Sequence, residues 1–277
     1  MGALDKINKY TVYDYLIVFL LVLFIVNSAL YNYWSTSVPY VLISVIIAVV
    51  LDLFLSFLKS KLRKPKEGQA GFAPPFKLHF PKSAFISGMI IGLLIEPGAL
   101  AWPAMAPIIL APVLAILLKH IIRVKGDHIF NPANLGLLAT LLVLGTTASL
   151  SWWGAGPSWL VVIFGLFLAF RLKRPNPAIS FLVAYIVLFV LLDAASGKLS
   201  PATFVQFNSG TLLFFGLIMV QEPVTAARSS KGRLIMGILA AVFTFLFTFS
   251  PQTQQLSLLL GLFVADLFVY PMNWKLK

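Results

Sequence analysis

The stretch Asn208–Arg233, NSGTLLFFGLIMVQEPVTAARSSKGR, decides how the chain is read. An apolar run of about a dozen residues stops at Gln221-Glu222-Pro223, a polar and basic turn comes next, and a new apolar helix begins. A helix needs roughly 20 residues to cross the hydrocarbon core of a bilayer. A carboxylate and a proline placed where so short a run stops predict a broken helix rather than a simple span.

Composition fixes the class around that break. Of the 277 residues, 60% are hydrophobic and 11% charged, against roughly 25% charged in an ordinary soluble domain. The fold class expected is an all-α polytopic membrane protein. With no cysteine, disulfides, thiolate metal sites and cysteine-ligated iron–sulfur clusters are excluded. His79, His120 and His128 are not spaced i, i+4, which argues against a haem or zinc site built by this chain alone. The net charge of +12 raises the question of which side of a membrane the positive residues occupy.

Working outward, the apolar segments read as Tyr15–Tyr31, Pro39–Leu58, a short run Ser83–Ile95 ending at Glu96-Pro97, Pro103–Ile122, Ala133–Leu150, Leu160–Phe170, Ala178–Ala195, the short run before Glu222, Leu234–Phe249 and Leu256–Tyr270. Tyr15–Tyr31 reads as a span rather than a signal peptide, because further spans come after it. Met1-Gly2 opens no myristoylation motif, since Lys6 stands where that motif needs Ser or Thr. Lys59–Lys82 is an irregular basic loop and Gly197–Phe207 a polar connection. Ten alternating segments with a cytoplasmic N-terminus leave Lys198 alone, of the 21 Lys and Arg, on the outer side. The reading is therefore a multi-pass protein of the cytoplasmic membrane with both termini cytoplasmic. Orientation accounts for the charge, and no nucleic-acid partner is needed.

The chain also resembles itself. Ser83–Pro97 and Ser209–Pro223 are both short apolar runs closed by Glu-Pro, and Val50-Leu51-Asp52 resembles Leu191-Leu192-Asp193. Five segments per unit is an odd number, so residues 1–150 and 151–277 are expected to be two inverted repeats within one membrane domain, with Glu96 facing outward and Glu222 inward. Paired interrupted segments in inverted halves point to a binding site between them.

The candidate chemistry lies at those breaks. Charged groups in a bilayer face protein or water. Asp52, Asp193 and Asp266 lie toward span ends and read as interfacial. Glu96 and Glu222 either accept bonds from backbone N–H groups freed by the breaks or bind an ion or polar substrate. Asn131, before Pro132, is an N-cap candidate. Asn131 and Asn134 also offer amide groups to a ligand, as do Asn208, Ser209 and Thr211 at the start of the second short helix. Thr225, Arg228, Ser229, Ser230, Lys231 and Arg233 form a turn that either satisfies the positive-inside rule or meets phosphate and lipid headgroups. Phe130 and Phe215 are candidates to stack on a planar ligand, with core packing the plainer role.

GDHIFNPANLG (Gly126–Gly136) and MVQEPVTAARSSKGRLIMG (Met219–Gly237) resemble the RnfD/NqrB family, the membrane subunits of Rnf and Na⁺-translocating NADH:quinone oxidoreductase complexes. The shared patterns are FNPA, (D/E)-P-V-T-A and G-R-L-I-x-G, within a resemblance running from about Ser83 to the C-terminus. It implies ten helices in two inverted halves, electron transfer coupled to Na⁺ or H⁺ movement, flavin, and other Rnf- or Nqr-like subunits as partners. The family attaches FMN through a threonine in an S-G-A-T motif. Aligned on Glu222-Pro223, this chain has Ser209-Gly210-Thr211-Leu212 there, and Leu212 has no hydroxyl. Covalent FMN is therefore not expected, and a flavin (FMN or riboflavin) would be held non-covalently by Asn131, Asn134, Asn208, Ser209, Thr211 and Thr225. No catalytic constellation and no metal site is read in this chain. Two functions remain open: a subunit of a flavin-linked, ion-coupled electron-transport system, and a stand-alone transporter or channel for a small solute such as a flavin. A membrane scaffold for an extracytosolic electron chain is a third.

Overall fold

The computed structural model describes residues 3–31, 34–62, 79–124, 126–145, 149–171 and 175–274. Most of the basic loop expected over Lys59–Lys82 lies outside the described residues, as do Met1, Gly2, Lys275 and Lys277. The described chain is helical throughout its regular structure except for a ribbon of two paired two-residue strands. Its helices are α1 (Ala3–Tyr31), α2 (Trp34–Lys61), α3 (Lys82–Leu94), α4 (Ala106–Ile121), α5 (Pro132–Leu144), α6 (Ser158–Arg171), α7 (Asn176–Ala195), α8 (Pro201–Val205), α9 (Gly210–Phe214), α10 (Ser230–Thr248) and α11 (Ser257–Trp274). A π-helical segment, Phe215–Met219, continues α9.

Five helices are long and apolar enough to cross a membrane, and a sixth span results if α8 to Met219, bent by 52° near Ser209, is counted as one. Together with four shorter apolar helices, α3, α4, α5 and α6, this makes an all-α polytopic membrane protein. Two segments expected as full spans are shorter. Pro103–Ile122 holds 16 helical residues and Ala133–Leu150 holds 13. At 1.5 Å per residue these reach about 24 and 20 Å, below a core of about 30 Å. The apolar run outlasts the helix in both. Residues 101–104 form an exposed turn before α4, and α5 stops at Gly145, which takes φ 58°. The polar connection Gly197–Phe207 contains the short helix α8 and the start of a 3₁₀ turn, Gln206–Asn208.

The same packed pairs recur along the chain. In residues 1–150, α1 lies on α3, α2 on α3 and α4, and α4 on α5; afterwards α6 lies on α9 and the π segment, α7 on the π segment and α10, and α10 on α11. Lipid offers no hydrophobic drive for helix association, so close backbone approach at small residues has to supply the contact. Gly136 of α5 provides it against α4, where an added Cβ would stand 2.5 Å from the Ala111 carbonyl oxygen and from the Ala115 Cβ. Gly261 of α11 plays the same part against Ala240 and Thr244 of α10. Ser44 Oγ of α2 donates to the Gly88 carbonyl of α3 at 2.8 Å. The core is continuous through both parts, from Phe19 and Leu20 across Ile91 and Leu94 to Phe181, Phe214 and Phe215.

Candidate functional site

The short helices end in different settings. At the Glu222 end, the π segment gives way to Gln221-Glu222-Pro223, and the Glu222 carboxylate is held on both oxygens. His128 Nε2 lies 3.0 Å from Oε1, and Thr225 Oγ1 donates to Oε2 at 3.0 Å. His128 comes from the ribbon Arg123–Val124 with Asp127–His128, which turns through Gly126 at φ 90°. Arg228, beyond Glu222, donates to Asp127 Oδ2 of the same ribbon at 3.4 Å.

Asn131 joins three elements here. Its Oδ1 caps α5 by accepting the Asn134 N–H at 3.1 Å, the N-cap bond expected from Asn131-Pro132. Its Nδ2 donates to the Met219 carbonyl at 3.2 Å, and its backbone N–H donates to Asp266 Oδ2 of α11 at 3.2 Å. Asn134 Nδ2 donates to the Leu259 carbonyl, also of α11, at 3.0 Å. A narrow cleft of about 40 Å³ opens beside this cluster, lined in part by Tyr13, Ser87, Asn131, Gln221 and Glu222.

At the opposite end of α3, the chain extends at Ile95 and bridges to Leu150. The Glu96 N–H donates to the Ser149 carbonyl at 3.1 Å, and the Ser151 and Trp152 N–H groups both donate to the Leu94 carbonyl at 3.1 Å. Trp153 Nε1 donates to the Gly92 carbonyl at 3.1 Å. The 149–153 loop thus closes the carbonyl end of α3, which a helix leaves unsatisfied. Trp152 sits there at φ 53°, in the left-handed region. The Glu96 side chain is exposed, and among the described residues its carboxylate has no partner.

A cleft of about 340 Å³ lies at this end, walled by Tyr31, Trp152 and Trp153, with Thr211, Gly156 and Gly210 on its lining. Volumes of ~300–1,000 Å³ are usual for small-molecule sites. Gly156 lets the loop approach α1 closely: a Cβ there would stand 2.8 Å from Asn27 Oδ1 and 2.9 Å from the Tyr31 ring. Asn27 is fully buried. Its Nδ2 donates to the Leu23 and Gly154 carbonyls, both at 2.8 Å, and its Oδ1 has no partner.

The expected residues therefore fall into two groups. Asn131, Asn134, Glu222 and Thr225 come together at one end. Thr211 lines the cleft at the other, Asn208 and Ser209 stand beside it, and Glu96 lies across the loop that closes α3. Among the described residues no single pocket between the two breaks gathers all of them, because α3 and the α9–π helix each run from one end to the other. Leu212 is 5% exposed and packs in the core. Phe130 stacks on Phe263 at 4.8 Å, and Phe215 packs against Phe181 and Trp152, so both rings are occupied by protein.

Sequence reasoning passed over His128, which is brought to Glu222 by tertiary structure and not by i, i+4 spacing. Its signal was its place two residues before the FNPA helix start. Asp266, expected near an interface, is 1% exposed; an acid amid LFVADLFVY was the available sign. Asp52 is also buried, paired with Lys119 Nζ at 2.9 Å and His120 Nε2 at 3.0 Å, and Asp193 accepts from Thr203 Oγ1 at 2.6 Å. Among the described residues, no group of three or more His, Asp or Glu is placed to hold a metal ion.

No family model matches the chain. It is 31% identical over 121 residues, 41% of this chain, to the D subunit of the ion-translocating oxidoreductase complex of Colwellia psychrerythraea. The match covers 33% of that protein, so the chain spans about a third of the length of the curated relative it matches. The likeness supports the resemblance read from the sequence motifs: this multi-pass membrane protein is similar, over part of its length, to a subunit of an ion-translocating oxidoreductase.

Proposed function

We propose that the chain is a subunit of an ion-coupled electron-transport system in the cytoplasmic membrane. Its repeated packing pairs are two inverted repeats, residues 1–150 and 151–277, and its basic helix ends and both termini are cytoplasmic. The similarity to the Colwellia oxidoreductase protein supports the class of function. The aromatic cleft at the Glu96 end supports the cofactor, a flavin held non-covalently, as FMN or riboflavin.

The residues of that cleft fit such a group. Tyr31, Trp152 and Trp153 offer ring surface to a planar heterocycle, and Thr211 and Ser151 offer hydroxyls. Gly156 and Gly210 let the segments that wall the cleft approach each other closely. The flavin supplies one- and two-electron chemistry; the chain's part is to bind it, orient it and screen it from the lipid. Leu212, apolar and buried, supports attachment without a covalent bond. At the other end, Glu222 and its partners serve ion passage, with Glu96 the exposed counterpart. Other Rnf- or Nqr-like subunits exchange electrons with it.

The test is the visible spectrum of the purified protein. A flavin absorption that is present in wild type, bleaches with dithionite and is lost when Thr211→Trp fills the cleft is the expected result. Colourless protein that moves a small solute into liposomes would instead establish the transporter reading, in which the two clefts at opposite ends are halves of one route.

A further inference from the structure

Arg123 opens the ribbon directly after α4, and the protein gives its charge no answer. It is half-buried. Its Nε is buried with no acceptor, and among the described residues no carboxylate pairs with it. The acids that reach α4 and the ribbon are engaged elsewhere: Asp52 by Lys119 and His120, Asp127 by Arg228, and Glu222 by His128.

The register of the ribbon fixes the side on which Arg123 stands. It lies directly opposite His128, and residues opposite each other in an antiparallel pair project from the same face, with Cβ atoms about 5 Å apart. His128 lines a shallow groove between the end of α4 and the start of α5, together with Leu118, Lys119, Ile122, Phe130 and Leu135. Beside it Ile121 is 72% exposed, so the apolar surface of α4 continues outward into lipid. Lys119 belongs to the last turn of α4 and donates one bond, to Asp52 Oδ1 at 2.9 Å; an ammonium has three donors. An apolar groove thus meets two cations where a membrane segment ends.

We infer that this groove binds an anionic phospholipid, with the phosphate on Arg123 beside Lys119 and an acyl chain over Leu118, Ile121 and Ile122. A guanidinium matches two phosphate oxygens at once, and its stem rests on apolar surface while the charged head reaches the headgroup layer. Clustered Lys and Arg at segment ends attract anionic lipid, whereas a zwitterionic headgroup would bring its own cation against Arg123. The site goes beyond the electron-transport reading and depends on neither flavin nor ion passage.

The experiment titrates the delipidated full chain in detergent with phosphatidylglycerol, or with phosphatidylcholine of the same acyl chains, and follows the melting temperature. Phosphatidylglycerol should raise it by about 3 °C or more at saturation, while phosphatidylcholine and soluble glycerol phosphate should not. Arg123→Gln should lose the shift, and Lys198→Gln, at an exposed lysine after α7, should keep it. Equal responses to the two lipids, a shift with glycerol phosphate alone, or an unchanged shift in Arg123→Gln overturns the site. If Arg123→Gln does not fold, Arg123→Lys, which keeps the charge and loses the planar fork, should need about tenfold more phosphatidylglycerol for half the shift; a wild-type half-point there overturns the site as well. The shift is read without flavin, so its absence leaves the electron-transport reading standing.

Discussion

The two helices that stop at Glu-Pro begin from the same sequence device and finish in different surroundings. α3 is a regular 13-residue helix whose last carbonyls are taken by a neighbouring loop, and Glu96 beyond it is left exposed. The α9–π helix is bent at its start and widened over Phe215–Met219, and Glu222 beyond it is clasped by His128 and Thr225. A π turn carries an extra residue and re-aims the chain beyond it, and such segments recur at functional sites. The same dipeptide thus gives an exposed charge at one end and an enclosed one at the other. The difference lies in what the rest of the fold delivers to each end: a histidine ribbon and a capped helix to Glu222, a tryptophan loop to Glu96.

The largest effect that tests this contrast should come from Glu222→Ala, which leaves His128 and Thr225 without their partner. It is expected to destabilise the protein by about 3 kcal/mol, seen as a lower melting temperature in detergent. Glu96→Ala should leave the melting temperature where it was. Equal losses would erase the asymmetry.

Next in size is the glycine contact shared by the two parts. Gly136→Ala and Gly261→Ala each force a Cβ into the adjacent helix and should each cost about 2 kcal/mol. A cost at one position only would mean that the packing pairs are not equivalent.

Capping gives a smaller contrast. Asn131→Ala removes the cap and the bond to Met219, for about 1.5 kcal/mol, and Asn131→Ser, which can still cap, should recover part of it. Ser209, at the start of α9, makes no side-chain cap bond, so Ser209→Ala should be silent in the same melting assay. Smallest of all, Trp153→Phe loses one bond to the Gly92 carbonyl and should cost about 1 kcal/mol. That sharpens how much the tryptophan loop contributes to closing α3.

Much of this architecture was legible in the sequence, because apolar runs and their interruptions are local. The short runs before Glu96 and Glu222 are helices that end where the Glu-Pro pairs stand, and Asn131 caps α5 as Asn-Pro suggested. Features that depend on contacts distant along the chain were not legible. The ends of α4 and α5 could not be read, since apolar residues continue through the turns on either side of them. The π segment has no signature in FGLIM. His128 meets a glutamate nearly a hundred positions later, and no spacing rule reaches that far. Asp266 looked interfacial because it lies toward the end of its apolar run, yet α11 buries it against Asn131 at the start of α5. The aromatic cleft was missed as a site because SWWGAGPSW reads equally as a membrane-interface turn.

Asn131 has a mechanical consequence. One residue bolts α5, α11 and the π segment to each other through its backbone N–H, side-chain nitrogen and side-chain oxygen. Sliding any one of these elements past the others would shear several buried bonds together. Any working stroke of this protein must therefore carry that trio as a single rigid block, with the hinges placed outside it.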